Sequence, residues 1–209
     1  MLREFYRRHL PHWQPQGAVF FVTFRLKDSL PIAIIEALRA ERETERLALD
    51  TSPNIDPSEI DYLNERRSFG RWDTRLDNAD SGPKWLSQPE IARVIKEALH
   101  YRDGKEFDLY AYTIMSNHVH AVFEPLVSRI VNPAYMPLEK IMQSLKRHTA
   151  RQANLILGRQ GAFWQAESYD HVVRNEGEFE RIIHYILQNP VKAGLVTQWD
   201  NWPWSYYKW

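Results

Sequence analysis

The sequence predicts an α+β fold in which an antiparallel sheet is covered by helices and interrupted by one polar excursion. Three observations carry that expectation. Runs of β-branched and aromatic residues alternate with segments of helical periodicity along the 209 residues. Two of those runs are separated only by Ser116-Asn117, which allows a hairpin and excludes a parallel crossover. Composition is that of an ordinary globular chain, 44% apolar and 26% charged, enough to build one sizeable core.

Taken in order, Ala18–Leu26 reads as a strand buried on both faces, because Val19, Phe20, Phe21, Val22 and Phe24 leave no polar alternation. Pro31 opens a helical pattern with Ile34, Ile35, Leu38 and Leu47 on one side. Residues 50–87 read as an inserted excursion punctuated by Pro53, Pro57, Gly70, Gly82 and Pro83, with helical character over Ser58–Ser68. Gln88-Pro89-Glu90 starts a helix that turns Ile91, Val94, Ile95 and Leu99 inward. Phe107–Met115 and His118–Glu124 form the two hairpin strands. A helix from Pro137 to Leu157 is closed by Gly158. Ser168–Arg174 is a short strand, Glu176–Gln188 a helix stopped at Asn189-Pro190, and residues 199–209 a Trp-rich tail.

Cysteine is absent, which excludes disulfides, thiolate metal sites and cysteine nucleophiles. The N-terminal residues lack a signal-peptide pattern, and no apolar run reaches the roughly 20 residues that span a bilayer. A soluble, cytoplasmic protein without a membrane partner is expected. The net charge is zero, which by itself argues against a nucleic-acid partner. The zero conceals segregation: residues 1–27 carry a net +4, residues 28–80 a net −6, residues 81–135 none, and residues 136–209 a net +2.

Three groups of residues carry chemistry. His118 and His120 flank Val119 on a strand, so both imidazoles project from one face and make half of a divalent-metal site, or an ordinary polar face. Tyr185 and Asn189 lie one turn apart on the flank of the stripe formed by Phe179, Ile182, Ile183, Ile186 and Leu187. A boundary tyrosine and a helix-stopping asparagine would look the same. Lys140, Lys146, Arg147 and Arg151 make one helix basic, either as a solvated face or as a phosphate-contacting one. Together they suggest phosphodiester chemistry, in which a metal withdraws charge, a tyrosine attacks and cations hold a polyanion. No P-loop, nucleophile elbow or dinucleotide-binding glycine pattern competes.

The run Tyr112-Thr113-Ile114-Met115-Ser116-Asn117-His118-Val119-His120 resembles the His-hydrophobic-His motif of single-tyrosine HUH transposases. The segments 143–147 (Gln-Ser-Leu-Lys-Arg), 161–165 (Gly-Ala-Phe-Trp-Gln), 167–171 (Glu-Ser-Tyr-Asp-His), 185–196 and 202–205 follow in the order seen in REP-associated tyrosine transposases. Ser116 stands where that family usually has proline. The resemblance implies an RRM-like, ferredoxin-like sheet with the histidines on a central strand. It implies His118, His120 and Asn189 as ligands of Mg²⁺ or Mn²⁺, and Tyr185 as the nucleophile. The implied substrate is single-stranded DNA beside a hairpin of a repetitive extragenic palindrome, cleaved and rejoined through a 5′-phosphotyrosine, in a bacterial, nucleoid-associated monomer or homodimer. Tyr169, beside Asp170 and His171, is the competing phenol, and it sits on a short strand without ligand spacing. His148, His171 and His184 read as structural or DNA-contacting. The alternatives are a domesticated hairpin-binding module without useful catalysis, and a metal-dependent phosphoesterase using water.

Overall fold

The computed structural model describes residues 5–7, 11–13, 15–50, 57–79, 81–126 and 136–208. The first residues of the expected excursion, 51–56, and the last tryptophan of the tail lie outside them. The chain divides into two compact units, one of residues 1–27 with 84–209 and one of residues 28–83.

The larger unit is a β-α-β-β-α-β arrangement with additions at both ends. A short antiparallel pair, β1 (Phe5–Arg7) and β2 (Pro11–Trp13), comes first. The main sheet then takes β3 (Phe20–Arg25) from this unit before the chain enters the other. The smaller unit is a helical hairpin of α1 (Ile32–Asp50) and α2 (Pro57–Asp77). Back in the larger unit come α3 (Pro89–Arg102), β4 (Phe107–Ile114), β5 (His118–Pro125), α4 (Leu138–Ile156), β6 (Tyr169–Val172), α5 (Glu176–Lys192) and β7 (Ser205–Tyr207). The sheet order is β6-β3-β5-β4-β7 with every pairing antiparallel. Counted by the repeat β3-α3-β4-β5-α4-β6, that is the fourth-first-third-second order of a ferredoxin-like sheet, with β7 added beyond the second. The expected α+β, RRM-like architecture is therefore present, with β5 and its histidines in the centre.

Strand register assigns the two sheet faces. Phe20, Val22 and Phe24 pair with Phe123, Ala121 and Val119, and all six lie in the core beneath α3 and α4. The helices present matching stripes: Ile91, Ile95 and Leu99 on α3, and Ile141, Leu145 and Ala153 on α4, all fully buried. These positions recur every three or four residues, which puts them on one face of each helix. The opposite sheet face carries Phe21, Thr23 and Arg25 of β3 and His118, His120 and Val122 of β5, and α5 packs against β4 and β5.

Three sequence expectations are corrected. The excursion expected over 50–87 falls within a unit running from Asp28 to Pro83, in which α1 packs along α2, while residues 84–87 belong to the larger unit. Helix α2 extends to Asp77, beyond the Ser58–Ser68 stretch. Helix α5 does not stop at Asn189-Pro190 but continues to Lys192 with Pro190 inside it. Proline there removes one donor in the last turn, leaving only the Ile186 carbonyl without its helical partner. The turn is closed instead by Ala193 N–H to the Asn189 carbonyl (3.0 Å) and Leu195 N–H to the Pro190 carbonyl (2.9 Å). The Trp-rich tail is also more than a tail. It supplies β7, and Trp202 Nε1 donates to the Ile114 carbonyl at 3.1 Å. No helix among the described residues is long and apolar enough to cross a membrane.

Candidate metal and tyrosine site

The histidine strand leaves a tight turn. Met115 N–H donates to the His118 carbonyl at 2.9 Å, closing the hairpin around Ser116-Asn117. Its two backbone carbonyls are tied to neighbouring segments, Asn117 O to Leu26 N–H (2.8 Å) and Ser116 O to Leu86 N–H (3.1 Å). Serine in place of proline therefore does not leave the turn unsupported. The consequence is a fixed entry into β5, with His118 and His120 both fully buried.

Each imidazole is oriented by its own neighbour. His118 Nδ1 lies 2.7 Å from Asn117 Oδ1, an oxygen that can only accept, so Nδ1 carries the proton and Nε2 a lone pair. His120 Nδ1 lies 2.7 Å from Thr23 Oγ1. The two Nε2 atoms face each other at 3.0 Å. A hydroxyl can donate or accept, so Thr23 sets the state of the pair. When Thr23 donates, His120 Nε2–H bridges to His118. When it accepts, two lone pairs converge on one point, an arrangement that a cation relieves. Adjacent octahedral ligands about 2.1 Å from an ion stand about 3.0 Å apart, so the observed separation fits a pair of neighbouring metal ligands.

Helix α5 brings the remaining members. Its start is capped by Asn175, whose Oδ1 accepts from Glu178 N–H at 2.9 Å. The Glu178 carboxylate accepts from Arg174 N–H (2.8 Å) and meets His171 Nε2 (3.1 Å), tying the helix to β6. Burial holds the His171 imidazole below its ordinary value, against the pull of Glu178. With its start fixed, α5 places the Tyr185 ring 6.0 Å from the His120 ring and 6.3 Å, edge-on, from Phe21. Lys192 Nζ lies 4.6 Å above the Tyr185 ring centroid. Sequence reasoning missed Lys192 and Phe21. Seven residues separate Lys192 from Tyr185, two helical turns, which is the signal that would have found it.

Asn189 is the most informative residue of the site. It is 1% exposed, and neither its Oδ1 nor its Nδ2 has a hydrogen-bond partner among the described residues. A buried amide without partners costs about 1–3 kcal/mol. It sits one turn beyond Tyr185 because α5 runs through Pro190. Two oriented imidazoles on β5 and, on α5, an amide without a hydrogen-bond partner among the described residues are groups of the kind that ligate a divalent cation. The competing phenol, Tyr169, pairs with Thr23 across β6 and β3 and packs edge-on against Phe21 at 6.1 Å.

The basic residues fall elsewhere. Lys140, Arg147 and Arg151 are exposed on α4, on the helical layer opposite the histidine face. With Arg102, Ser144 and His148 they line a groove of about 400 Å³. Lys146 differs from the other three. Its Nζ turns inward to donate to the Gln165 (2.8 Å) and Ala166 (3.1 Å) carbonyls, and burial pushes it down to about 7.

The chain is similar to several known proteins. Two relatives are a putative REP-associated tyrosine transposase of Haemophilus influenzae, 26% identical over 104 residues, and a REP-associated tyrosine transposase of Escherichia coli, 25% identical over 104 residues. The matches cover 48% and 49% of this chain and 59% and 56% of those proteins, so the chain spans little more than half the length of either. A solved REP-associated tyrosine transposase bound to a REP hairpin aligns with 96% of this chain and 80% of its own, at 18% identity and a TM-score of 0.49. The sequence model described as "Transposase IS200 like" matches residues 84–189, a segment that holds both histidines and Tyr185 and ends on Asn189. That segment is just over half of the chain, and by it the protein belongs to the IS200-like transposase family.

Proposed function

We propose that the protein is a metal-dependent single-stranded DNA endonuclease and strand transferase, acting beside REP-type hairpins through Tyr185. The observation that carries this reading is the unpartnered, buried amide of Asn189, one turn from a tyrosine that packs on an oriented histidine pair. His118 Nε2, His120 Nε2 and the Asn189 amide oxygen would hold Mg²⁺ or Mn²⁺. When bound, the cation withdraws charge from the scissile phosphate.

The remaining steps belong to the chain itself. Phe21, His120 and Lys192 hold the Tyr185 ring, so the phenol oxygen approaches phosphorus in one orientation. Tyr185 Oη attacks in line and forms a P–O bond. The bond from phosphorus to the 3′-oxygen breaks, and the phenol proton is lost as the departing 3′-hydroxyl gains one. The product is a 5′-phosphotyrosine and a free 3′-hydroxyl. Attack by a second 3′-hydroxyl reverses the exchange and joins strands without ATP, because one phosphodiester bond replaces another of similar energy. The ammonium of Lys192 adds positive charge beside the reacting phenol. Lys140, Arg147 and Arg151 would hold DNA phosphates on α4.

The test is a labelled hairpin oligonucleotide with a single-stranded flank, incubated with Mn²⁺ and run under denaturing conditions. Wild type is expected to give a covalent protein–DNA adduct and Tyr185→Phe none. An adduct surviving in Tyr185→Phe removes Tyr185 from the reaction. Metal-independent hairpin binding without any adduct would favour the hairpin-binding module.

A further inference from the structure

Two hollows border α4 on the helical layer, and they differ in charge. One, of about 410 Å³, lies between α4 and the chain that leads into β6, where the segments 143–147, 161–165 and 167–170 converge. Lys146 and Arg147 line it together with Glu139, Glu167 and Asp170, so its charge is mixed. The other is the groove of about 400 Å³ that Lys140, Arg147, His148 and Arg151 of α4 form with Arg102 of α3. No carboxylate belongs to its described lining.

Lys140, Arg147 and Arg151 are exposed, and none makes an ion pair or a hydrogen bond among the described residues. Arg102 differs. It is buried, meets the Glu106 carboxylate at 3.3 Å and donates to Ser144 Oγ at 3.2 Å. With its oxygen accepting from Arg102, the Ser144 hydroxyl keeps its proton for an outside acceptor. The Gln143 and Gln152 amides bring further N–H donors to the same surface. Cations, amides and a hydroxyl are the groups from which phosphodiester oxygens accept. Their spacing suits a repeating anion. From Lys140 to Arg151 the helix rises about 16 Å, the rise of about five base pairs. What the groove lacks selects the form of the strand. Sites for unpaired strands interleave cations with aromatic platforms on which bases stack. No Phe, Tyr or Trp belongs to the described lining here. A duplex turns its bases inward and its phosphates outward, so it asks only for donors.

We propose that this groove takes the paired stem of the hairpin and holds its phosphates without reading their sequence. The stem then lies on the helical layer, while the unpaired flank runs to the opposite face of the sheet, where Tyr185 stands beside the histidines. One DNA molecule is thus divided between the two faces, its duplex part on α4 and its single-stranded part under α5. This deepens the hairpin-directed cleavage reading above and rests on it.

The test uses the full chain, without divalent metal, and reads fluorescence anisotropy of three fluorescein-labelled DNAs. They are a blunt hairpin without a flank, the same hairpin with its stem sequence scrambled and its pairing kept, and an unpaired oligo-dT strand of equal length. Wild type is expected to bind the two hairpins within about 3-fold of each other, as backbone contacts carry no sequence information. Replacing Lys140, Arg147 and Arg151 together by alanine should weaken both hairpins by about 30–100-fold and lower the salt slope of log K by about 2–3. The same variant should change oligo-dT binding by less than about 3-fold, since that strand depends on stacking elsewhere. Gln143→Glu combined with Gln152→Glu keeps every cation and nearly every side-chain volume, and it should weaken both hairpins by about 10-fold through charge alone. Hairpin affinity unchanged in both variants overturns the proposal. So does an equal loss on oligo-dT, or a wild-type preference for one stem sequence. The hairpin adduct assay separates this from the function above. A wild-type adduct with hairpin binding untouched by both variants overturns the groove alone, and stem binding lost in both variants without any wild-type adduct overturns the cleavage reading alone.

Discussion

The two faces of the central sheet use the same strands for opposite purposes. Under α3 and α4, strand residues such as Phe20, Phe24, Val119 and Phe123 are apolar and at most 1% exposed. Beneath α5, Thr23, His118, His120 and Thr113 are also buried but polar, and Asn189 brings an amide that no hydrogen bond among the described residues satisfies. Alternation along β3 and β5 makes this possible, since neighbouring residues point to opposite faces. One face holds the fold together. The other buries polar groups at a cost in stability, which the proposed site would account for.

The largest expected effects separate the faces outright. Phe123→Ala should cost about 3–5 kcal/mol of unfolding free energy, measured by urea denaturation. His120→Ala should leave far more stability yet slow adduct formation by about 10²–10⁴-fold, the scale of losing a metal's charge stabilisation. If both substitutions damaged stability alike, the division of labour would be wrong.

A sharper test inverts the usual sign. Asn189→Leu replaces an unsatisfied amide with an isosteric apolar group, so it should stabilise the protein by about 1–3 kcal/mol in the absence of metal. The same variant should lose metal-dependent adduct formation. A destabilised Asn189→Leu would mean that the amide is satisfied in the folded protein.

The smallest effect concerns Lys146, the half-buried cation of α4. Burial disfavours the charged form of Lys146, so its folded value, about 7, lies below its ordinary value near 10.5. Between those values the unfolded chain binds the additional proton, and stability should rise with pH across that window. Lys146→Met should flatten the rise in unfolding experiments at several pH values. A wild-type curve as flat as that of Lys146→Met would place the ammonium in water.

Much of this was legible locally. The 3.6-residue and two-residue periodicities located α3, α4, β3, β4 and β5, because a stripe of apolar side chains is a statement about neighbours in sequence. The His118–Val119–His120 spacing put both rings on one face for the same reason, and the four-residue step from Tyr185 to Asn189 put those two on one flank. Where local rules failed, a partner distant in sequence had intervened. Asn189-Pro190 reads as a helix stop, yet α5 continues because only one donor is lost and the rest of the helix is packed against the sheet. Lys146 reads as one of four surface cations, yet it turns inward because the chain at 165–166 offers it two carbonyls.

By itself the sequence determined the alternation of strands and helices and the shared face of the histidine pair, since each follows from spacing along a single element, while Tyr185 as the candidate nucleophile came from the resemblance to the transposase family. Only the tertiary structure decided that Thr23 and Asn117 fix the imidazoles and that Phe21 and Lys192 frame the tyrosine. It alone decided that three separate motifs enclose one cavity on the layer away from the histidines. Those outcomes depend on which strands pair and which helix covers which face. Such contacts are selected by the packing of the whole core, and no local run of residues encodes them.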